Sequence, residues 1–210
     1  MATSKKSWIK KRLKDPFLKK AQRENFRSRA AFKLEEINKK TAIFKNARKV
    51  LDLGCAPGSW LQMARTICPG IKHLIGCDRT KMQNLPGVDF YQVDIFSPQM
   101  QELLLTLTED IPFDLILSDM APNTTGRKDL DSFHSRELVS HTLTICTPHL
   151  KKGGHFVCKI FQDSETENVR KSWKTKFKKT RVISPVASPK GSKEIYLIFI
   201  NYTGLKEECK

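Results

Sequence analysis

No apolar stretch among the 210 residues approaches the roughly 18–20 residues needed to cross a bilayer, and the lysine-rich start lacks the continuous apolar core of a secretory signal. No membrane contact is expected, and the cytoplasm is the expected location. A mitochondrial presequence is the competing reading of residues 1–30, but Asp15 and Glu24 interrupt it and lysine outnumbers arginine there, against the usual bias. The six cysteines form no C-x-x-C pair and the five histidines complete no zinc spacing, so reduced thiols and no structural metal are expected. There is no internal repeat and no long linker. One domain with extensions is expected, because 39% hydrophobic residues at this length suffice to bury a core, and a monomer is expected.

What is abundant is positive charge, and it is unevenly placed. Residues 1–49 hold 17 Lys and Arg against 4 Asp and Glu, residues 50–169 hold 10 against 15, and residues 170–181 hold 7 against none. A slightly acidic middle between two basic segments fits a phosphate-binding footprint better than a uniformly solvated lysine surface. An anionic membrane would also attract such a flank, but residues 1–30 show no sustained stripe of large apolar residues to enter it. Nucleic acid is the expected partner.

Strand-like runs alternate with helical patterns along the chain. "ARKVLDLG" is followed by a helix from Trp60 to about Ile67, then "HLIGCD", "VDFYQVD", a helix over 98–108, "PFDLILSDM", a helix over 132–149, "GGHFVCKIF" and a basic helix over 164–178. This βαβ series predicts an α/β fold with a mostly parallel sheet covered on both faces and ligands at the carboxyl ends of the strands. "TRVISP" and "EIYLIFI", separated by "VASPKGSK", predict a terminal antiparallel hairpin.

The stretch "DLGCAPGSW" at 52–60 turns a buried strand into a glycine loop and then a helix. Glycines there permit positive φ and close backbone approach, and the helix offers unpaired N–H groups to a nucleotide-like ligand. The spacing of Gly54 and Gly58 is not G-x-G-x-x-G, so a different cofactor from a dinucleotide is indicated. Carboxylates recur at strand ends. Asp78, twenty positions after Gly58, stands where an acidic residue takes ribose hydroxyls in a βαβ nucleotide site. Asp94 ends "FYQVD" and reads equally as a turn residue before "IFSP". Asp119 leaves the centre of the sheet and needs a partner there. Lys159, inside the apolar run "HFVCKIF", would if unpaired be desolvated and pushed toward neutrality, and a neutral lysine can act as a base. Glu194, opening the antiparallel "EIYLIFI", should reach the same rim.

Across nearly its whole length the chain resembles the FtsJ/RrmJ family of ribosomal RNA 2'-O-methyltransferases, through "FRSRAAFKL", "LDLGCAPGSW", "SDMAPN", "CKIFQ" and "SKEIYLI". The resemblance implies a Rossmann-like, seven-stranded methyltransferase fold and a Lys-Asp-Lys-Glu tetrad at Lys33, Asp119, Lys159 and Glu194. It also implies an S-adenosylmethionine site that includes Gly54, with Gly58 and Trp60 on the methionine side, Asp78 at the ribose, Asp94 near the adenine and Asp119 near the sulfonium. Asp163, after "FQ", departs from the glycine frequent in that family.

The implied chemistry suits these residue types. A ribose hydroxyl is a poor nucleophile, whereas a sulfonium methyl is already activated, so the protein must orient and deprotonate. Lys159 is the expected base, Lys33 and the carboxylates its organisers, and no metal is required. The implied substrate is a uridine ribose of 23S ribosomal RNA, within or near an assembled large ribosomal subunit. Residues 1–30 are expected to form a basic RNA-binding extension, with Lys10, Lys11, Arg12, Arg27 and Arg29 as contacts. Trp8 and Phe26 stand among them as base-stacking candidates, Trp8 reads equally as a staple packing on the domain, and Phe17 is read as such a staple. Residues 31–204 would form the catalytic domain and 205–210 a polar tail. Transfer RNA and capped messenger RNA are the alternative substrates, and a non-catalytic RNA-binding module on the same fold is the alternative of another class.

Overall fold

Alternation of strand and helix carries through the computed structural model, which describes residues 15–189 and 191–204. Two helices, α1 (Pro16–Arg23) and α2 (Ala31–Thr41), precede the first strand, β1 (Lys49–Leu53). Then follow α3 (Ser59–Ile67), β2 (His73–Asp78), β3 (Asp89–Gln92), α4 (Pro98–Thr108), β4 (Phe113–Ser118) and α5 (Lys128–Cys146). A short 3₁₀ turn (Thr147–His149) leads into β5 (Leu150–Phe161), α6 (Thr166–Lys174), β6 (Phe177–Ile183) and β7 (Glu194–Tyr202). The seven strands lie in the order β3-β2-β1-β4-β5-β7-β6. Strands β1 to β5 pair in parallel, and β7 runs antiparallel between β5 and β6. The order reverses between β1 and β4, and at such a switch point the loops leaving the carboxyl ends part and open a crevice.

The period-2 alternation of the strands splits the core in two. Val50, Leu74, Leu115, Val157 and Ile198 turn to the face covered by α2 and α3, while Leu51, Ile75, Ile116, Phe156 and Leu197 turn to the face covered by α4 and α5. Residues buried on both faces read as continuous apolar runs, which is why β1, β4 and β5 are conspicuous in the sequence. The first core extends through α1: Ala21 is buried, and Phe17 and Phe26 pack on Phe32 with ring centroids 6.0 and 5.6 Å apart.

One element differs from expectation. The basic helix ends at Lys174 rather than continuing to 178, and Phe177–Ile183 is an edge strand. Phe177 is buried against Phe199 and Tyr202, with centroids 5.2 and 5.3 Å away, while Lys178, Lys179 and Arg181 face outward. Packing of one aromatic decides the outcome over helix propensity, and charged residues on an outermost strand discourage further pairing. The basic 170–181 segment is therefore divided between the end of a helix and a sheet edge.

Candidate functional site

A cavity of about 720 Å³ opens at the carboxyl ends of β1, β2 and β4. Its walls include Gly54, Asp78, Thr80, Asp94, Asp119 and Met120, with Glu137 and Leu138 of α5 on the far side. Gly54 has φ +71°, and a Cβ there would lie 2.4 Å from Met120 Cγ, so only glycine lets the loops after β1 and β4 close together. Asp78 ties the loops after β1 and β2: Oδ2 accepts the Ala56 N–H at 2.9 Å and Oδ1 the Thr80 N–H at 2.7 Å. Asp94 lines the cavity and also makes the turn before α4, its Oδ1 accepting the Phe96 N–H at 2.9 Å.

Two lysines with little exposure stand beside this cavity, on the α2 face. Lys159 is paired: its Nζ lies 3.1 Å from Asp119 Oδ1 and donates to the Asp119 carbonyl at 2.5 Å. The buried lysine on this strand is thus not left unpaired, since Asp119 supplies both acceptors. Lys33, projecting from α2, donates to Glu194 Oε2 at 2.9 Å. The β5–β7 register sets Lys159 opposite Tyr196 and Phe161 opposite Glu194, which carries Glu194 to the same rim.

Tyr196, which sequence reasoning passed over, joins the two pairs. Its hydroxyl donates to Asp119 Oδ1 at 2.6 Å, and Lys33 Nζ stands 5.8 Å from its ring centroid. Burial, then the Asp119 charge, raises the phenol well above its ordinary range, so it remains a hydrogen-bond donor. Its position two residues after Glu194 was the available signal, because period 2 sends both side chains to one face.

Asp52 was also missed. It is 1% exposed, and neither carboxylate oxygen has a hydrogen-bond partner. Burial, with the charges of Asp119 and Asp78 adding to it, pushes its carboxyl well above the usual carboxylate range. A charge inside "VLDLG" is the same signal that singled out Lys159.

Other expected residues take different places. Trp60 is 2% exposed and stands behind the site: its indole N–H donates to the Ala30 carbonyl at 2.8 Å and its ring packs on Tyr196 at 5.7 Å. Neither Trp60 nor Gly58 forms part of the cavity wall. Arg27, expected as an RNA contact, directs its guanidinium at the carbonyls of Pro57, Gln83 and Asn84 at 2.7–2.8 Å. Arg29 likewise pairs with Asp15, whose Oδ1 caps α1 by accepting the Phe17 and Leu18 N–H groups, so both arginines serve internal partners. Trp8, Lys10, Lys11 and Arg12 lie outside the described residues. Asp163, the departure from the family pattern, accepts from the Glu165 N–H at 3.0 Å and pairs with Arg136, tying the loop after β5 to α5.

Known proteins with this pattern share both sequence and fold. The profile of a family described as FtsJ-like methyltransferase matches residues 26–202. The ribosomal RNA large subunit methyltransferase E of Psychrobacter cryohalolentis is 38% identical over 95% of each chain. The protein of the same name from Desulfatibacillum aliphaticivorans is 42% identical over 88% of this chain and 89% of its own. Among solved structures, a Plasmodium falciparum protein described as a ribosomal RNA methyltransferase superposes with a TM-score of 0.76 at 32% identity, covering 85% of this chain and all of the other. Strand order, cavity position and a profile match spanning both lysine pairs agree, and the chain belongs to the FtsJ-like methyltransferase family.

Proposed function

We propose that this protein transfers a methyl group from S-adenosylmethionine to the 2'-hydroxyl of a uridine ribose in large-subunit ribosomal RNA. The observation that carries the reading is the pairing of two buried lysines with two carboxylates at the rim of a nucleoside-sized cavity. The names of the bacterial relatives supply the substrate class.

The cavity fits the cofactor by charge as well as by shape. Asp78 and Asp119 line it, and Asp52, near enough for both their charges to act on it, is a buried acidic group without a hydrogen-bond partner. A ligand bearing a sulfonium and an ammonium group would relieve that imbalance. In this reading Gly54 admits the ligand's backbone-facing side, Asp78 holds ribose hydroxyls and Asp94 stands toward the base. When bound, the cofactor supplies a methyl group already activated by positively charged sulfur.

The chain's own residues then act on the ribose hydroxyl. Lys159, acting as its free amine, would take the hydroxyl proton onto Nζ as the ribose oxygen accepts the methyl group, and Asp119 would stabilise the resulting ammonium. Tyr196 fixes the Asp119 carboxylate through its hydroxyl, so that the Asp119 acceptors stay on Lys159. Lys33, held by Glu194, orients the incoming hydroxyl. The basic flank supplies the positive charge that holds RNA phosphates.

Incubating the purified protein with labelled S-adenosylmethionine and, side by side, undermethylated large ribosomal subunits, transfer RNA and capped RNA tests this reading. Nuclease digestion and mass spectrometry should find 2'-O-methyluridine from the ribosomal subunits. Methyl groups on a base, or transfer to another RNA alone, would overturn the assignment.

A further inference from the structure

Arg27 lies between α1 and α2, six residues before Lys33, and its guanidinium is spent on neutral backbone acceptors in two distant loops. Nη1 donates to the carbonyls of Pro57 and Gln83, both at 2.8 Å, and Nη2 donates to that of Asn84 at 2.7 Å. Pro57 belongs to the glycine loop after β1. Gln83 and Asn84 belong to the connection from β2 to β3, which contains no helix or strand. These exposed carbonyls have no helix or ladder partner, and one planar guanidinium supplies three bonds in a fixed fork.

These are the two loops that Asp78 joins from the cavity side through the N–H groups of Ala56 and Thr80. Arg27 joins them from the outer side. The arginine is itself anchored: its N–H donates to Gln62 Oε1 at 2.8 Å, and Gln62 Nε2 donates back to the Asn25 carbonyl at 3.0 Å. Gly58, absent from the cavity wall, finds its reason here. A Cβ on it would stand 3.0 Å from Arg27 Nη1 and 2.8 Å from Met82 Sδ, at φ +106°. The glycine makes room for the clasp as well as for the turn.

We propose that Arg27 is a positioning residue for the cofactor cavity, setting the separation of its two loops and coupling cofactor affinity to the seating of the segment that leads into the Lys33 helix. The assignment rests on the proposed cofactor reading. Its signature is selective: weaker cofactor binding with RNA affinity and the saturated chemical step preserved.

The experiment compares full-length wild type, Arg27→Ala and Arg27→Lys. It measures S-adenosylhomocysteine binding by calorimetry, RNA affinity, single-turnover methylation at saturating cofactor, and amide exchange over residues 54–58 and 79–88. In Arg27→Ala the cofactor dissociation constant should rise about tenfold or more, as expected when charge-assisted bonds that fix a binding geometry are lost. RNA affinity should stay within about twofold, since no phosphate contact is removed. Both loops should exchange faster, and methylguanidinium should restore part of the cofactor affinity. Arg27→Lys should fall between the two, because an ammonium is a point charge without the planar fork; it also keeps the charge and stem if the alanine variant fails to fold. Loss of RNA affinity with unchanged cofactor binding would overturn the proposal and make Arg27 an RNA contact. If wild type binds no cofactor, the cofactor reading fails by itself. The loop exchange then judges the clasp, and equal exchange in wild type and variants overturns it.

Discussion

The two lysine–carboxylate pairs are similar in chemistry and differ in how the chain holds them. Lys159 and Asp119 sit at the ends of adjacent parallel strands, β5 and β4, and both acceptors on Lys159 come from one residue that also walls the cavity. Lys33 and Glu194 join a helix to the first residue of β7, with Glu194 less buried than its lysine. One pair is built into the sheet's hydrogen-bonded frame. The other bridges two separately supported elements, so its geometry depends on how α2 and the segment before it are seated. A strand-borne pair suits a proton transfer that tolerates little displacement, and a helix-borne pair suits the reception of a substrate.

Removing Lys159 should show the largest effect. General-base assistance is worth about 10² to 10⁴ in rate, so Lys159→Ala should lose at least that order in single-turnover methylation while binding survives. Lys159→Arg should not recover it, because a guanidinium stays protonated; an arginine variant near wild-type rate would make the residue an electrostatic positioner and erase the contrast between the pairs.

Next in size is the cavity itself. Gly54→Val should weaken S-adenosylmethionine binding by about two orders of magnitude, since the side chain meets Met120 at a positive φ, a strained conformation costing on the order of 1–3 kcal/mol beyond the steric clash. Calorimetry showing unaltered affinity would place the cofactor elsewhere.

The second pair is expected to act as a unit. In a double-mutant cycle of Lys33→Met and Glu194→Gln, the coupling should be about 1–3 kcal/mol in the rate constant, with KM for RNA changing more than it does for Lys159→Ala. Strict additivity would mean that the observed 2.9 Å contact does no joint work.

Asp52, a carboxylate with no lysine, sharpens the contrast most gently. Its folded-state pKa is raised, so the unfolded chain releases this proton at lower pH than the folded one. Below the unfolded value the group costs no stability, and the penalty grows as pH rises toward the folded value. Asp52→Asn should therefore melt higher than wild type near neutral pH, by roughly 2–4 °C for each kcal/mol recovered. The gain should vanish near pH 4 and below, and the variant should bind cofactor more weakly. Melting curves at several pH values check the sign: a gain that grew toward acid would contradict the burial of an uncompensated charge.

The sheet was legible because strands buried on both faces write themselves as apolar runs, and the residues interrupting those runs pointed to the rim. Lys159 was legible for that reason, and Asp52 was missed although it satisfies the same test inside β1. What failed was partnership. Arg27 reads as a phosphate contact because its charge is visible in sequence, whereas the three carbonyls it also serves lie 30 to 57 positions away. The boundary between α6 and β6 was misplaced for a related reason, since only the distant Phe199 and Tyr202 show that Phe177 belongs to a strand. Local pattern reports which groups are expensive to bury; it does not report who will compensate them.

The insertion of β7 between β5 and β6 bears on how the molecule comes into being. Synthesis proceeds from the amino end, so β5 and β6 leave the ribosome before the strand that separates them, and Lys33 waits 161 positions for Glu194. Until then β5 presents an open, apolar edge of the kind that recruits other chains. A nascent chain halted before Glu194 would hold the glycine loop and Asp119 yet lack Tyr196, Glu194 and the strand that closes the sheet. The Lys33–Glu194 contact thus comes into being only once β7 has been made and has entered the sheet between β5 and β6.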